Sequence, residues 1–154
     1  MYRSLLSNLR LHAVAVAGAL ALVFAMSATA QDDPPYKPGN YWSVTGIHVK
    51  DGSGLRYAQH LATNWSASQE FAKAQGWIVG YHVFSNVYVR EGEPDLYLVT
   101  VFANMPDAAE MEKRRKAWQE FNKKTMAQMA QESGERAEYR TVGGEMLLRE
   151  MLRR

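Results

Sequence analysis

The stretch that most constrains the fold is residues 77–102. Trp-Ile-Val-Gly-Tyr-His-Val-Phe-Ser-Asn-Val-Tyr-Val leads into Arg-Glu-Gly-Glu-Pro-Asp and then Leu-Tyr-Leu-Val-Thr-Val-Phe. Two runs rich in β-branched and aromatic residues flank a charged segment containing Gly92 and Pro94, which predicts a β-hairpin. Side chains alternate across a strand, so each run has two faces. In the first run Trp77, Val79, Tyr81 and Val83 share one face, and Ile78, His82, Phe84 and Tyr88 share the other. In the second, Leu96, Leu98 and Phe102 oppose Tyr97, Val99 and Val101. A sheet with one wet side would alternate apolar with polar residues. This hairpin does not, so it needs cover on both sides.

The flanking chain supplies cover for one side. Tyr41 to Val49 reads as a strand and stops at Lys50-Asp51-Gly52-Ser53-Gly54, a loop signal. Leu55 to Gln75 reads as a helix with Ser53 as N-cap and Gly76 just past its end. Leu55, Ala58, Leu61, Ala62, Trp65 and Ala72 form its apolar stripe, and Tyr57, Asn64 and Phe71 a weaker one that either touches a partner or, more commonly, widens the buried face. After the hairpin, Asp107 and Glu110 have capping-box spacing at the start of a second helix, about 108–132. Met111, Trp118, Phe121, Thr125 and Met129 fall in one sector of it. Its Lys113-Arg114-Arg115-Lys116 run reads as an anion site or, better, as a solvated surface, because Glu110, Glu112 and Glu120 lie within pairing distance along the helix. Ser133-Gly134 ends the helix, Glu135 to Glu138 form a polar connector, and a last strand covers about 139–152. Gly143-Gly144 inside that strand predicts a bulge or a close backbone approach.

The order strand, helix, strand, strand, helix, strand is that of a ferredoxin-like α+β fold, βαββαβ. Right-handed crossovers place both helices on one face of a four-stranded antiparallel sheet. The other face, with its rings, is then an apolar patch of the kind that marks an interface, and a second copy packed sheet against sheet would cover it. With this element order and two-sided hairpin, residues 41–152 resemble the dimeric α/β-barrel superfamily. That group includes antibiotic-biosynthesis-type monooxygenases, haem-degrading enzymes, EthD-like proteins and stress-responsive barrel proteins. The resemblance implies a homodimer but no single reaction, since the fold hosts several. Haem-degrading members combine an Asn, a Trp and a His. Here Asn64 and Trp65 are helix neighbours and point about 100° apart, so that triad is not carried over to Asn64, Trp65 and His82.

The N-terminus gives an address. Arg3 and Arg10 precede an uninterrupted small and apolar run from Ala13 to Met26, and Ala28-Thr29-Ala30 precedes Gln31-Asp32-Asp33. That is the pattern of a secretory signal peptide cleaved near Ala30, and the run is too short for the ~20 residues of a membrane-spanning helix. The expected organisation is a leader at 1–30, a flexible Pro-rich lead-in at 31–40 and one domain at 41–154, working in the periplasm or outside the cell without a membrane anchor. The chain has no cysteine, so neither a disulfide framework nor a thioether-linked lipid anchor is available to it. Its 18 Lys and Arg against 16 Asp and Glu overstate the charge of the processed form. Both excess cations are in the leader, which leaves 16 of each sign. Global charge therefore gives no support to a nucleic-acid partner or an anionic membrane.

The chemistry is less legible. No G-x-S-x-G, H-E-x-x-H, P-loop or dinucleotide-binding fingerprint occurs. His48 and His82 belong to strands at least two spacings apart, about 10 Å, too far for one metal ion within a single chain; no metal site is expected and no cofactor is indicated. His60 lies opposite the main apolar stripe of its helix and reads as solvated. Glu91, Glu93 and Asp95 alternate like the start of a calcium loop, but Leu96 stands where that loop needs glycine. Arg90, Glu91, Glu93 and Asp95 then read as a solubilising turn, or as a lip that docks on a partner. The abundant aromatic residues suit a pocket for a small apolar or aromatic ligand, with His48, Trp65, Tyr81, His82 and Tyr97 as candidate lining residues. Their commonest alternative role is core packing. Three functions follow from these readings: an exported ligand-binding dimer, a cofactor-independent monooxygenase or haem-processing enzyme of the same fold, and a non-catalytic interaction module.

Overall fold

In the computed structural model, which describes residues 33–154, the first strand β1 (Tyr36–Val49) begins inside the Pro-rich lead-in. The expected leader, residues 1–30, lies outside the described residues. The expected arm is shorter than its prolines suggest, because Tyr36, Lys37 and Pro38 pair with Arg153, Leu152 and Met151 of the last strand, β4 (Arg140–Arg153). On its other side β1 is paired only from Tyr41 onward. Pro38 thus sits where the sheet has two strands, and its missing N–H can face solvent.

The hairpin strands are β2 (Gly80–Ser85) and β3 (Leu96–Phe102). The strand order is β2-β3-β1-β4 and every neighbouring pair is antiparallel. This open four-stranded α+β sheet is compatible with a ferredoxin-like fold. The loop between β2 and β3 is longer than the charged turn alone, since Asn86 to Val89 have left the strand.

The first helix, α1, covers residues 54–74. It is α-helical over Gly54–His60, π-helical over Leu61–Trp65 and α-helical again over Ser66–Ala74. The Ser66 hydroxyl donates to the Leu61 carbonyl (2.7 Å), occupying an acceptor in the wide turn. Ser53 stands at the N-cap, but its side chain makes no capping bond. The helix ends as its sequence predicts. Gly76, at φ +70°, donates to the Lys73 carbonyl, and Trp77 donates to that of Ala72. That pair of bonds is the Schellman motif.

The expected second helix is two helices, α2 (Ala108–Asn122) and α3 (Met126–Glu135), so the element order is β-α-β-β-α-α-β. Lys123 breaks it with φ +52°, and Thr125 restarts it through a reciprocal capping box with Gln128. Asp107 caps α2 by accepting the Glu110 N–H (2.8 Å), as its spacing predicts. Neither α2 nor α3 buries a residue. α2 docks on α1 through rings: Phe71 stacks on Phe121 at 4.1 Å and leans on Trp118 at 5.8 Å and Trp77 at 5.3 Å.

The core under α1 is Ile47, Tyr57, Leu61 and Tyr139, flanked by Val49, Trp65, Leu96 and Leu98. Tyr57, from the weaker stripe, is its most buried side chain, whereas Leu55, from the main stripe, is 73% exposed. On the opposite face Val99 and Val101 are buried in a second patch. Trp42 and His82 flank them on β1 and β2, and their rings stack at 5.9 Å. Strands two apart are separated by about 10 Å, so both rings lean over β3. Phe84 extends the row, 5.6 Å from His82.

The Gly143-Gly144 pair forms the expected bulge against β1 between Thr45 and Ile47. Opposite it, Gly46 leaves room for the Pro94 ring. A Cβ there would lie 2.5 Å from Pro94 Cγ, on the loop that folds back over β1. Gly46→Val is expected to cost about 1–3 kcal/mol through overpacking. Urea denaturation checks this, and an unchanged midpoint would show that the loop yields freely.

Candidate functional site

Between α1 and the loop end of the hairpin lies a cavity of about 760 Å³. Ala58, Leu61 and Ala62 of α1 form one wall, and Val83, Val89 and Leu96 the other. The alternation of β2 aims Val83 at α1, and the π turn widens the helix at Leu61 and Ala62. The rim is polar, with Lys50, Asp51, Asn86 and Asp95. Volume and lining match those of small-molecule sites, about 300–1,000 Å³ with a few placed polar groups.

The rim is held firmly. The Asp95 carboxylate accepts the Val49 N–H (2.7 Å), and its own N–H donates to the Ile47 carbonyl (2.9 Å). Glu93 accepts from the Arg90 N–H (3.1 Å) and pairs with its guanidinium, which holds the Glu93 carboxyl below its usual range. Asn86 donates to the Pro94 carbonyl (3.1 Å). Of the four residues read as a lip, Arg90, Glu93 and Asp95 thus brace the loop, while Glu91 faces solvent.

The five residues read as a ligand pocket fall on two faces of the sheet. Trp65 and Tyr81 meet edge to face at 5.3 Å on the α1 side. The Tyr81 hydroxyl donates to Glu70 (2.7 Å), and this bond raises its pKa. His82 and Tyr97 lie on the opposite face, as does His48, whose Nε2 stands 3.1 Å from where a Cβ on Gly143 would be. None of the five lines the large cavity. Among the described residues no three His, Asp or Glu side chains converge as a metal site, and no helix is long and apolar enough to cross a membrane.

A second cleft separates α1 from α2 and α3. Its outer part, about 380 Å³, is lined by Trp65, Trp118, Phe121 and Met129. Its inner part, about 190 Å³, reaches the sheet beside Tyr57, Arg136 and Arg140; His60, Trp65 and Arg136 line both. His60 is half-buried, with its ring stacked at 6.0 Å on Tyr57 and edge-on to Tyr139 at 6.5 Å. Burial pushes its imidazole below the ordinary value, and Arg136 and Arg140 push it further. The expectation of a solvated His60 is therefore corrected. The main apolar stripe places His60 on the far side of the helix, but Tyr57, from the weaker stripe, is the residue most deeply buried, and it draws His60, three residues on, toward the core. Arg136 lies in the polar connector and Arg140 at the start of the last strand, and no sequence pattern links the two to one cavity.

In comparisons with known proteins, the chain matches no family model, no curated sequence and no solved structure.

Proposed function

We propose that the processed chain acts after export as a homodimeric binding protein for a small apolar or aromatic molecule. The cavity of about 760 Å³ between α1 and the hairpin carries this reading, because aliphatic side chains line it and a braced polar loop rims it. A site preorganised in this way loses little freedom when it is filled. The dimer is supported by the face opposite α1. There Phe84, Met146 and Leu148 are each about half exposed beside the Trp42–His82 stack, an apolar patch that a second sheet would cover. The Trp42 indole N–H is buried on that face with no hydrogen-bond partner among the described residues, as a group left for a partner subunit's acceptor would be.

Filling the cavity tests the binding reading. With the neutral fluorescent probe N-phenyl-1-naphthylamine, Ala62→Trp is expected to weaken binding at least tenfold, about 1.4 kcal/mol, with the circular dichroism spectrum retained. Failure of the parent protein to bind the probe, or unchanged binding by the variant, would remove the cavity as the site.

A further inference from the structure

The inner cleft has an electrostatic character that the apolar cavity lacks. Arg136 and Arg140, from the 3-10 turn (Arg136–Glu138) and the start of β4, are both half-buried and line the same space of about 190 Å³. Among the described residues, no acidic side chain lines that space. Arg56 is paired with Glu138, Arg90 with Glu93, Arg114 with Glu110 and Arg115 with Glu112. Among the described residues, neither Arg136 nor Arg140 has an acid within ion-pair distance. Two like charges withdrawn together from water oppose folding unless an anion joins them. Of the remaining polar walls, the Tyr57 hydroxyl, His60 and Thr45 can donate hydrogen bonds, while the Thr100 hydroxyl donates to Gln69 (3.3 Å).

We propose that this cleft binds an aromatic carboxylate, with the carboxylate between Arg136 and Arg140 and the ring in the outer cleft against Trp65, Trp118 and Phe121. The planar guanidinium fork matches a carboxylate in a two-point contact. The inner space takes a head group and little more. The outer space of about 380 Å³ adjoins it, since His60, Trp65 and Arg136 border both. Its charged residues at the far end, Lys124 and Glu132, are paired with each other and leave the anion to the arginines. At neutral pH His60 is uncharged, held so by burial and by the two arginines, and serves as a neutral donor beside the head group.

Calorimetry and tryptophan fluorescence on the purified full chain test this with three probes. Phenylacetate is expected to bind and to change the emission of Trp65 and Trp118. Phenylacetamide, its neutral isostere, is expected to bind at least tenfold more weakly, and inorganic phosphate likewise, since it has no ring. The double variant Arg136→Gln/Arg140→Gln is expected to lose phenylacetate binding at least thirtyfold, with an unliganded melting temperature equal to or above that of the parent. Equal binding of the amide, undiminished binding by the double variant, or no response to phenylacetate would overturn the proposal. Phosphate binding as tight as that of phenylacetate would overturn its aromatic part. N-phenyl-1-naphthylamine binding in the apolar cavity is expected to survive in the arginine variant, so each site fails or stands by its own probe.

Discussion

Tyr57→Ala is expected to destabilise the domain by about 3–5 kcal/mol, the range for removing a buried ring. Tyr57 is 1% exposed and is the largest fully buried side chain. It contacts the other core rings, His60 at 6.0 Å and Tyr139 at 6.0 Å, and belongs to the cluster with Ile47 and Leu61. Neither α2 nor α3 contributes a buried residue, so little remains to compensate. Domains of this size have about 5–15 kcal/mol in total, and the variant is expected to be largely unfolded at modest urea concentrations. Tyr57→Phe separates packing from polarity. It keeps the ring and is expected to change stability by less than about 1 kcal/mol. Equal losses for the two variants in urea titrations would place the importance of Tyr57 in its hydroxyl rather than its ring.

The second large effect concerns the face opposite α1. Phe84→Asp/Leu148→Asp is expected to weaken self-association at least a hundredfold, about 2.7 kcal/mol, by placing charges in an apolar contact. Phe84 and Leu148 are 49% and 50% exposed, so each subunit tolerates the change and its melting temperature should move little. Analytical ultracentrifugation reads the outcome directly. A parent protein that sediments as a monomer at about 10 µM, in the affinity range expected of a stable dimer, would end the dimer proposal. A double variant that remains dimeric would move the interface to another face.

The parts of the fold that were legible in the sequence follow local rules. The β3 boundaries, the Gly76 helix end and the Asp107 cap depend on neighbouring residues, and the glycine pair at 143–144 marks its own bulge. The misreadings depend on partners distant in sequence. Three prolines near residue 36 suggest a loose arm, but β4 is long enough to pair with it. The apolar spacing through Phe121 and Met129 continues across Lys123 without a glycine or proline, so the break was hidden, although Thr125 and Gln128 do spell a capping box. The residues that the sequence suggests for a pocket share aromatic or imidazole chemistry but not a face. Strand alternation then put Tyr81 and His82, adjacent in sequence, on opposite sides of the sheet. The cavity is instead lined by Ala, Val and Leu, residue types too common to single out.

The π turn at Leu61–Trp65 has a further consequence for how this chain can vary. An i to i+5 turn accommodates about one residue more than an α turn, which amounts to about 100° of helical phase. The turn therefore acts as an absorbed insertion. Upstream of it Tyr57 is locked to the sheet, while Trp65 at its end and Phe71 beyond it meet Tyr81 and Phe121. Deleting a single residue within 61–65 would let the rod relax to a uniform helix while both halves keep their facing. The wide turn is therefore a place where the chain can lose one residue without re-aiming what lines either cleft.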